Sequence, residues 1–205
     1  MAKSKPTTGG SPRFVLIAAA FAGVLVLVAG VLIGVAFRDS GNGNPLAGAI
    51  GGKFSLVDQN GKPFTDADLK GKWHLVFFGY THCPDICPTA LNDLSLAVDQ
   101  LGAAKSQVGI VFISVDPDRD TPAVLKSYIE SFGGPITGLT GTAAEVKQAA
   151  QDYKVYYAKH PTKDGYDMDH GALIYIMDPQ GRFTATFTPD DTSDTMATRL
   201  KKLVS

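Results

Sequence analysis

The 205-residue chain has two cysteines, and both fall in one short segment, Phe78-Gly79-Tyr80-Thr81-His82-Cys83-Pro84-Asp85-Ile86-Cys87-Pro88. A pair of thiols three residues apart can exchange disulfides, bind a soft metal or form a structural bridge. A purely structural bridge gains little here, because closing so short a loop constrains the unfolded chain by only about 2 kcal/mol. Pro88 disfavours helical geometry at Cys87 and suits the first position of a helix. Cys87 is therefore expected at a helix N-terminus, with Cys83 in the loop before it. The positive end of the helix dipole then favours thiolate at both sulfurs. Thiolate is the form that attacks disulfides and the form that binds soft ions.

Oxidoreductases of the thioredoxin type usually place two residues between their cysteines. The third residue here widens the sulfur pair, which suits a metal seated between the sulfurs and still allows disulfide chemistry. Two thiolates are a thin ligand set, so a third donor is sought among four histidines. His74 lies inside an apolar run and reads as packing. His82 adjoins Cys83 and reads as a loop residue beside the site. His160 precedes Pro161 in a polar stretch and reads as solvated. His170 ends the polar stretch Lys159 to Asp169, just before an apolar strand, and is the best candidate. Two thiolates and one imidazole suit Cu(I), and with an added oxygen or nitrogen the same set can hold Cu(II). Structural zinc wants a fourth protein ligand, for which only Asp169 or His82 is at hand. Asp169 is instead read as the carboxylate that orients His170. Met168 is a nearby soft side chain that reads as filler. A thiol peroxidase would want an arginine beside its attacking cysteine, and Arg119 is the loop arginine nearest in sequence.

The elements that must position these residues follow from the hydrophobic pattern. Lys53 to Val57 and the turn signal Asp58-Gln59-Asn60-Gly61 predict a hairpin. Asp66 to Lys70 predicts a helical turn ended by Gly71. Trp73 to Gly79 (WHLVFFG) and Val108 to Val115 (VGIVFISV) are continuous apolar runs, as central buried strands should be. Leu91, Leu94, Val98 and Leu101 recur at helical spacing between them. Thr121-Pro122 supplies an N-cap and first-turn proline for a helix to about Phe132. A short segment near Ile136 to Leu139, a helix over Thr142 to Asp152 and a strand over Tyr153 to Ala158 follow. Leu173 to Met177 and Arg182 to Phe187 form a second hairpin across Asp178-Pro179-Gln180-Gly181, and Asp190 to Leu203 closes as a helix. Strands alternating with helices predict an α/β protein with a mixed central sheet and flanking helices. A cysteine motif between the first long strand and its following helix is where a thioredoxin-like fold keeps its active site. In that fold the loop-to-strand junction at His170 faces the cysteine loop.

Ahead of this domain, Phe14 to Phe37 is an uncharged apolar run. As a helix it spans roughly 36 Å, enough for a hydrocarbon core of about 30 Å. It is longer than the apolar region of a cleaved signal peptide, and no small-x-small cleavage site directly follows it, so it reads as one retained transmembrane helix. Lys3, Lys5 and Arg13 keep residues 1-13 cytoplasmic by the positive-inside rule. Residues 38-52, rich in Gly, Asn and Ala, read as a flexible tether, and 53-205 as the thioredoxin-like copper-binding domain. The short N-terminal tail is unlike a mitochondrial transit peptide, which points to a bacterial inner membrane with the domain in the periplasm. A net charge of -1 gives no footprint for nucleic acid. Two cysteines exclude a disulfide-rich scaffold and an all-cysteine zinc site.

Several segments together resemble the Sco/SenC family of copper-binding assembly proteins. They are Ile50-Gly51-Gly52-Lys53-Phe54, the Phe78 to Pro88 segment, Ser114-Val115-Asp116-Pro117-Asp118-Arg119-Asp120-Thr121-Pro122, and Asp169-His170 before a strand ending in Asp178-Pro179-Gln180-Gly181. They run in family order through nearly all of residues 50 to 200. The resemblance implies a thioredoxin fold, a membrane anchor, and copper held by Cys83, Cys87 and His170. It further implies a part in maturing the copper centre of cytochrome c oxidase subunit II, by copper delivery, by reduction of the target's cysteines, or by both. A periplasmic copper chaperone is the implied donor. Gly171 departs from the Ser or Thr frequent in the family. On the residues alone, Asp116 to Pro122 reads as a polar turn followed by a helix cap.

Overall fold

The computed structural model describes residues 48–205. The expected anchor at 14-37, the tail before it and most of the tether lie outside the described residues. Among the described residues no helix is long and apolar enough to cross a membrane.

The chain runs β1 (Ser55–Asp58), β2 (Pro63–Thr65), β3 (Trp73–Gly79), α1 (Ile86–Asp99), β4 (Val108–Ser114), α2 (Pro122–Glu130), β5 (Ile136–Thr140), α3 (Ala143–Asp152), β6 (Tyr157–Thr162), β7 (Gly165–His170), β8 (Ile174–Met177), β9 (Phe183–Phe187) and α4 (Ser193–Val204). Seven strands form one sheet in the order β2-β1-β5-β4-β3-β8-β9. Strands β3, β4 and β5 are parallel, while β8 joins β3 antiparallel. This is the mixed sheet of a thioredoxin-like fold.

The central strands read as unbroken apolar runs because both of their faces are buried. Leu75 and Phe77 of β3 point into one core, with Leu91, Leu94 and Val98 of α1, Leu125 of α2 and Leu200 of α4. Val76 and Phe78 point into the other, with Leu56, Val146, Ala149 and Tyr153. His74 is 8% exposed, and burial lowers its pKa. The helices start where their caps dictate. The Thr121 and Thr142 hydroxyls accept from the Val124 and Glu145 amides, and Glu145 answers the Thr142 amide at 2.7 Å.

Three local expectations are corrected. The first helix begins at Ile86, so Pro88 is its third residue and not its first. This is tolerated because amides of a first helical turn have no acceptor within the helix. No strand begins at Tyr153, which caps α3, while Lys154 takes a left-handed φ of 58° and reverses the chain. The stretch Lys159 to Asp169 is not a loop. It forms most of a two-stranded ribbon, β6–β7, turned by Lys163-Asp164. In β7 Tyr166, Met168 and His170 are partly or fully buried, whereas Asp167 and Asp169 are exposed. That alternation is a strand signal, but the polarity of both strands hides it.

Candidate metal centre

The site lies where β3 gives way to α1. Gly79 ends β3, and its main chain is held by the Val115 amide, which donates to the Gly79 carbonyl at 2.8 Å. The loop that follows is tied down by Asp120, whose side chain is fully buried. The Asp120 carboxylate accepts from the Thr81 amide (3.0 Å), the Thr81 hydroxyl (2.6 Å) and the Ser114 hydroxyl (2.6 Å). Cys83 then donates its amide to the Tyr80 carbonyl at 3.2 Å. One turn on, Cys87 is fully buried in the first turn of α1. Its sulfur occupies the space that a side chain at Gly79 would fill, since a Cβ there would stand 2.5 Å from Cys87 Sγ and 2.7 Å from the Phe112 ring.

His170 arrives from the end of β7. Its Nε2 lies 3.4 Å from Cys87 Sγ, and its Nδ1 lies 3.1 Å from the Gly171 carbonyl oxygen. A carbonyl can only accept, so Nδ1 carries a proton, and Nε2 is the nitrogen that faces the sulfurs. The ring is walled edge-on by Tyr80 at 5.7 Å and Phe77 at 6.1 Å between centroids. The donor atoms of Cys83, Cys87 and His170 all lie within 4.8 Å of one another. Among the described residues this is the one group of three such side chains close enough to share an ion.

The two thiols are not equivalent. Cys83 is partly exposed and Cys87 is sealed. A hydrogen bond from Cys87 lowers the Cys83 pKa to about 4, with help from His170 and from the amides of Cys87 and Asp85. The same hydrogen bond, with burial, pushes the Cys87 thiol up. The balance favours thiolate at Cys83 and keeps the proton on Cys87. A soft cation displaces that proton and takes both sulfurs.

Other candidate residues stand elsewhere. Asp169 does not orient His170: strand alternation turns it to the outer face of the ribbon, where its carboxylate lies 2.7 Å from His160 Nε2. The Gly171 carbonyl fills the orienting role. His82 is exposed, with Nδ1 3.1 Å from the Thr81 hydroxyl. Met168 is buried in the core beneath the ribbon. Arg119 pairs with Asp116 and the ribbon, and Asp116 is 1% exposed. The stretch read as a turn and cap is therefore a buried polar bracket. Its signal in the sequence was an aspartate pair four apart that flanks an arginine, Asp116-Pro117-Asp118-Arg119-Asp120.

These features define a class: a thioredoxin-like α/β protein that presents two thiols and one imidazole to a soft metal ion. The SCO1/SenC family model matches residues 42–205, and the chain belongs to that family. It is 41% identical over 153 residues to protein sco1 of Schizosaccharomyces pombe, covering 72% of this chain and 58% of the relative. The chain spans about half the length of several curated relatives it matches, including 46% of mitochondrial SCO2 of Saccharomyces cerevisiae. Among solved structures it resembles Bradyrhizobium japonicum ScoI with copper bound, at 52% identity and a TM-score of 0.72 over 76% of this chain and 99% of that one. It also resembles BsSco, described as a member of the Sco family of cytochrome c oxidase assembly proteins. That match has 26% identity and a TM-score of 0.61, over 78% of this chain and 96% of that one.

Proposed function

We propose that this chain binds copper through Cys83, Cys87 and His170 and serves assembly of the copper centre of cytochrome c oxidase subunit II. The observation that carries the reading is the convergence of two thiols with an imidazole that follows the nearer of them by 83 positions, within one ion's reach. The copper-bound relative and the oxidase-assembly relative support it. In this reading residues 14-37 anchor the chain in a bacterial inner membrane, 38-52 tether it, and 53-205 work in the periplasm. Copper arrives from a periplasmic chaperone. The chain's own part is to hold the ion by soft sulfurs and to leave Cys83, the exposed donor, as the point where an acceptor's ligand enters.

The test is an anaerobic titration of Cu(I) into the reduced chain in detergent, against a competing chelator, with wild type beside His170→Ala. One-to-one binding that falls by at least about tenfold in the variant is expected. Cys83→Ser and Cys87→Ser should each abolish it.

A second reading rests on the unequal access of the sulfurs. The Cys83 thiolate attacks one sulfur of a client disulfide, a mixed disulfide forms, and the client's other thiolate leaves. Cys87, losing its proton, then attacks Cys83, releases the second client thiolate and closes the Cys83–Cys87 disulfide. Two electrons pass to the client. Weak copper binding in both wild type and His170→Ala, with a well-defined disulfide potential, would favour this reductase.

A further inference from the structure

The β6–β7 ribbon carries His170, yet the main sheet does not hold it: its strands pair only with each other. A lone two-stranded ribbon is marginal in water. Its root is fixed by main chain, where the Gly171 amide donates to the Tyr156 carbonyl at 3.0 Å and the Val155 amide to Ala150 at 2.8 Å. Its outer face is polar and exposed. Beneath it a cavity of about 480 Å³ opens toward α3 and the β4–α2 loop, lined in part by Lys147, Val155 and Met168. Packing alone therefore does not set the ribbon's pose.

The contacts that do reach its far half converge on one guanidinium. Arg119 Nε donates to Asp116, and Nη1 donates to the Tyr166 carbonyl at 3.0 Å. The guanidinium carbon lies 3.9 Å from the Tyr166 ring centroid, and the Tyr166 hydroxyl donates to Asp116 at 2.8 Å. Lys159 adds an ammonium 4.0 Å from the same ring and a 2.6 Å bond to Asp118. On its other side Arg119 lies 5.7 Å from the Tyr80 ring, the ring that walls His170. One planar group thus touches both the strand that carries His170 and the wall against which His170 stands. Lysine, a point charge, cannot reproduce these forked contacts.

We propose that Arg119 is a positioning residue for the metal site, fixing His170 Nε2 relative to the two sulfurs through Tyr166 and Tyr80. The proposal rests on the reading of His170 as a copper ligand. Tyr166 and His170 share a face of β7 about 13 Å apart, so a ribbon freed at Tyr166 pivots on its root and swings the imidazole. Cu(I) accepts low and irregular coordination and so tolerates a displaced imidazole, whereas Cu(II) wants a fixed tetragonal arrangement of its donors. Loss of the latch should therefore separate the two oxidation states.

The experiment compares the wild-type chain in detergent with Arg119→Met, Arg119→Lys, His170→Ala and the Arg119→Met/His170→Ala double variant. It reads Cu(II) affinity, the sulfur-to-Cu(II) charge-transfer band, Cu(I) affinity, and the melting temperature of the reduced metal-free protein. Arg119→Met should weaken Cu(II) about ten- to a hundredfold and shift the band, with Cu(I) affinity falling no more than about threefold. Arg119→Lys should fail to rescue. In the His170→Ala background the Arg119 change should alter Cu(II) affinity by less than about twofold. If Arg119→Met does not fold, Tyr166→Leu removes the ring and hydroxyl from the ribbon's side of the latch, leaves the Asp116–Arg119 pair and the main-chain bond to the residue 166 carbonyl, and carries the same expectation in direction. An equal loss of Cu(II) affinity with or without His170 overturns the latch alone, as do an unchanged affinity and band in a folded Arg119→Met. Wild-type copper affinity in His170→Ala overturns the ligand reading and the latch together.

Discussion

At the scale of the residue, the site depends as much on a missing side chain as on those present. A methyl at Gly79 would meet Cys87 Sγ and the Phe112 ring well inside van der Waals contact. Gly79→Ala should destabilise the reduced protein by about 1–3 kcal/mol in urea denaturation and weaken Cu(I) in chelator competition. Wild-type values in both would mean that the start of α1 shifts freely. The lowered pKa of Cys83, to about 4, sets a second expectation. Its alkylation rate in the reduced metal-free protein should stay nearly flat from pH 6 to pH 8, where an ordinary thiol gains almost a hundredfold. A thiolate favoured by folding contributes stability that is fully present above the ordinary thiol range and lost as pH falls through about 4. Relative to Cys83→Ser, the reduced protein should therefore lose stability on acidification toward pH 4, as urea midpoints across pH would report. The three donors were legible because thiols and imidazoles are scarce in this chain. The part played by Gly79 was not, because it exists only once Phe112 of a different strand is packed beside it.

At the scale of the element, the apolar strands and the capped helices could be read from pattern, and the β6–β7 ribbon could not. Tyr157 to His170 has no apolar run, and its burial comes from alternate residues, Tyr166, Met168 and His170, that look polar or isolated in sequence. The misreading of Asp169 has the same origin, since a loop sets no facing and a strand does. The β4–α2 loop misled in the opposite way: charged residues suggested a solvated turn, yet Asp116 and Asp120 are buried as hydrogen-bond acceptors. Asp120→Ala removes the carboxylate that accepts from the Thr81 amide and from the Thr81 and Ser114 hydroxyls. It should cost about 2–4 kcal/mol and loosen the cysteine loop, so that copper affinity and urea midpoint fall together. Thr142→Ala, which breaks a capping box far along the chain from the donors, should cost about 1 kcal/mol and leave copper affinity unchanged.

At the scale of the whole molecule, metal and fold are thermodynamically linked. An ion that binds only the folded, reduced chain raises its unfolding free energy by about 4 kcal/mol when free metal is a thousand times the dissociation constant. Cu(I) should therefore raise the melting temperature of the reduced protein, and prior closure of the Cys83–Cys87 disulfide should abolish that rise; differential scanning calorimetry would report both. The wide separation of Cys87 and His170 along the chain has a consequence in time as well as in space. Both thiols are synthesised long before the imidazole, and the strand that follows His170, β8, pairs with the strand that precedes the thiols, β3. An incomplete or misassembled chain offers a soft ion two loose sulfurs and lets it go. Retention of the metal thus reports that synthesis and folding have finished, so the site inspects its own maker before it accepts a cargo.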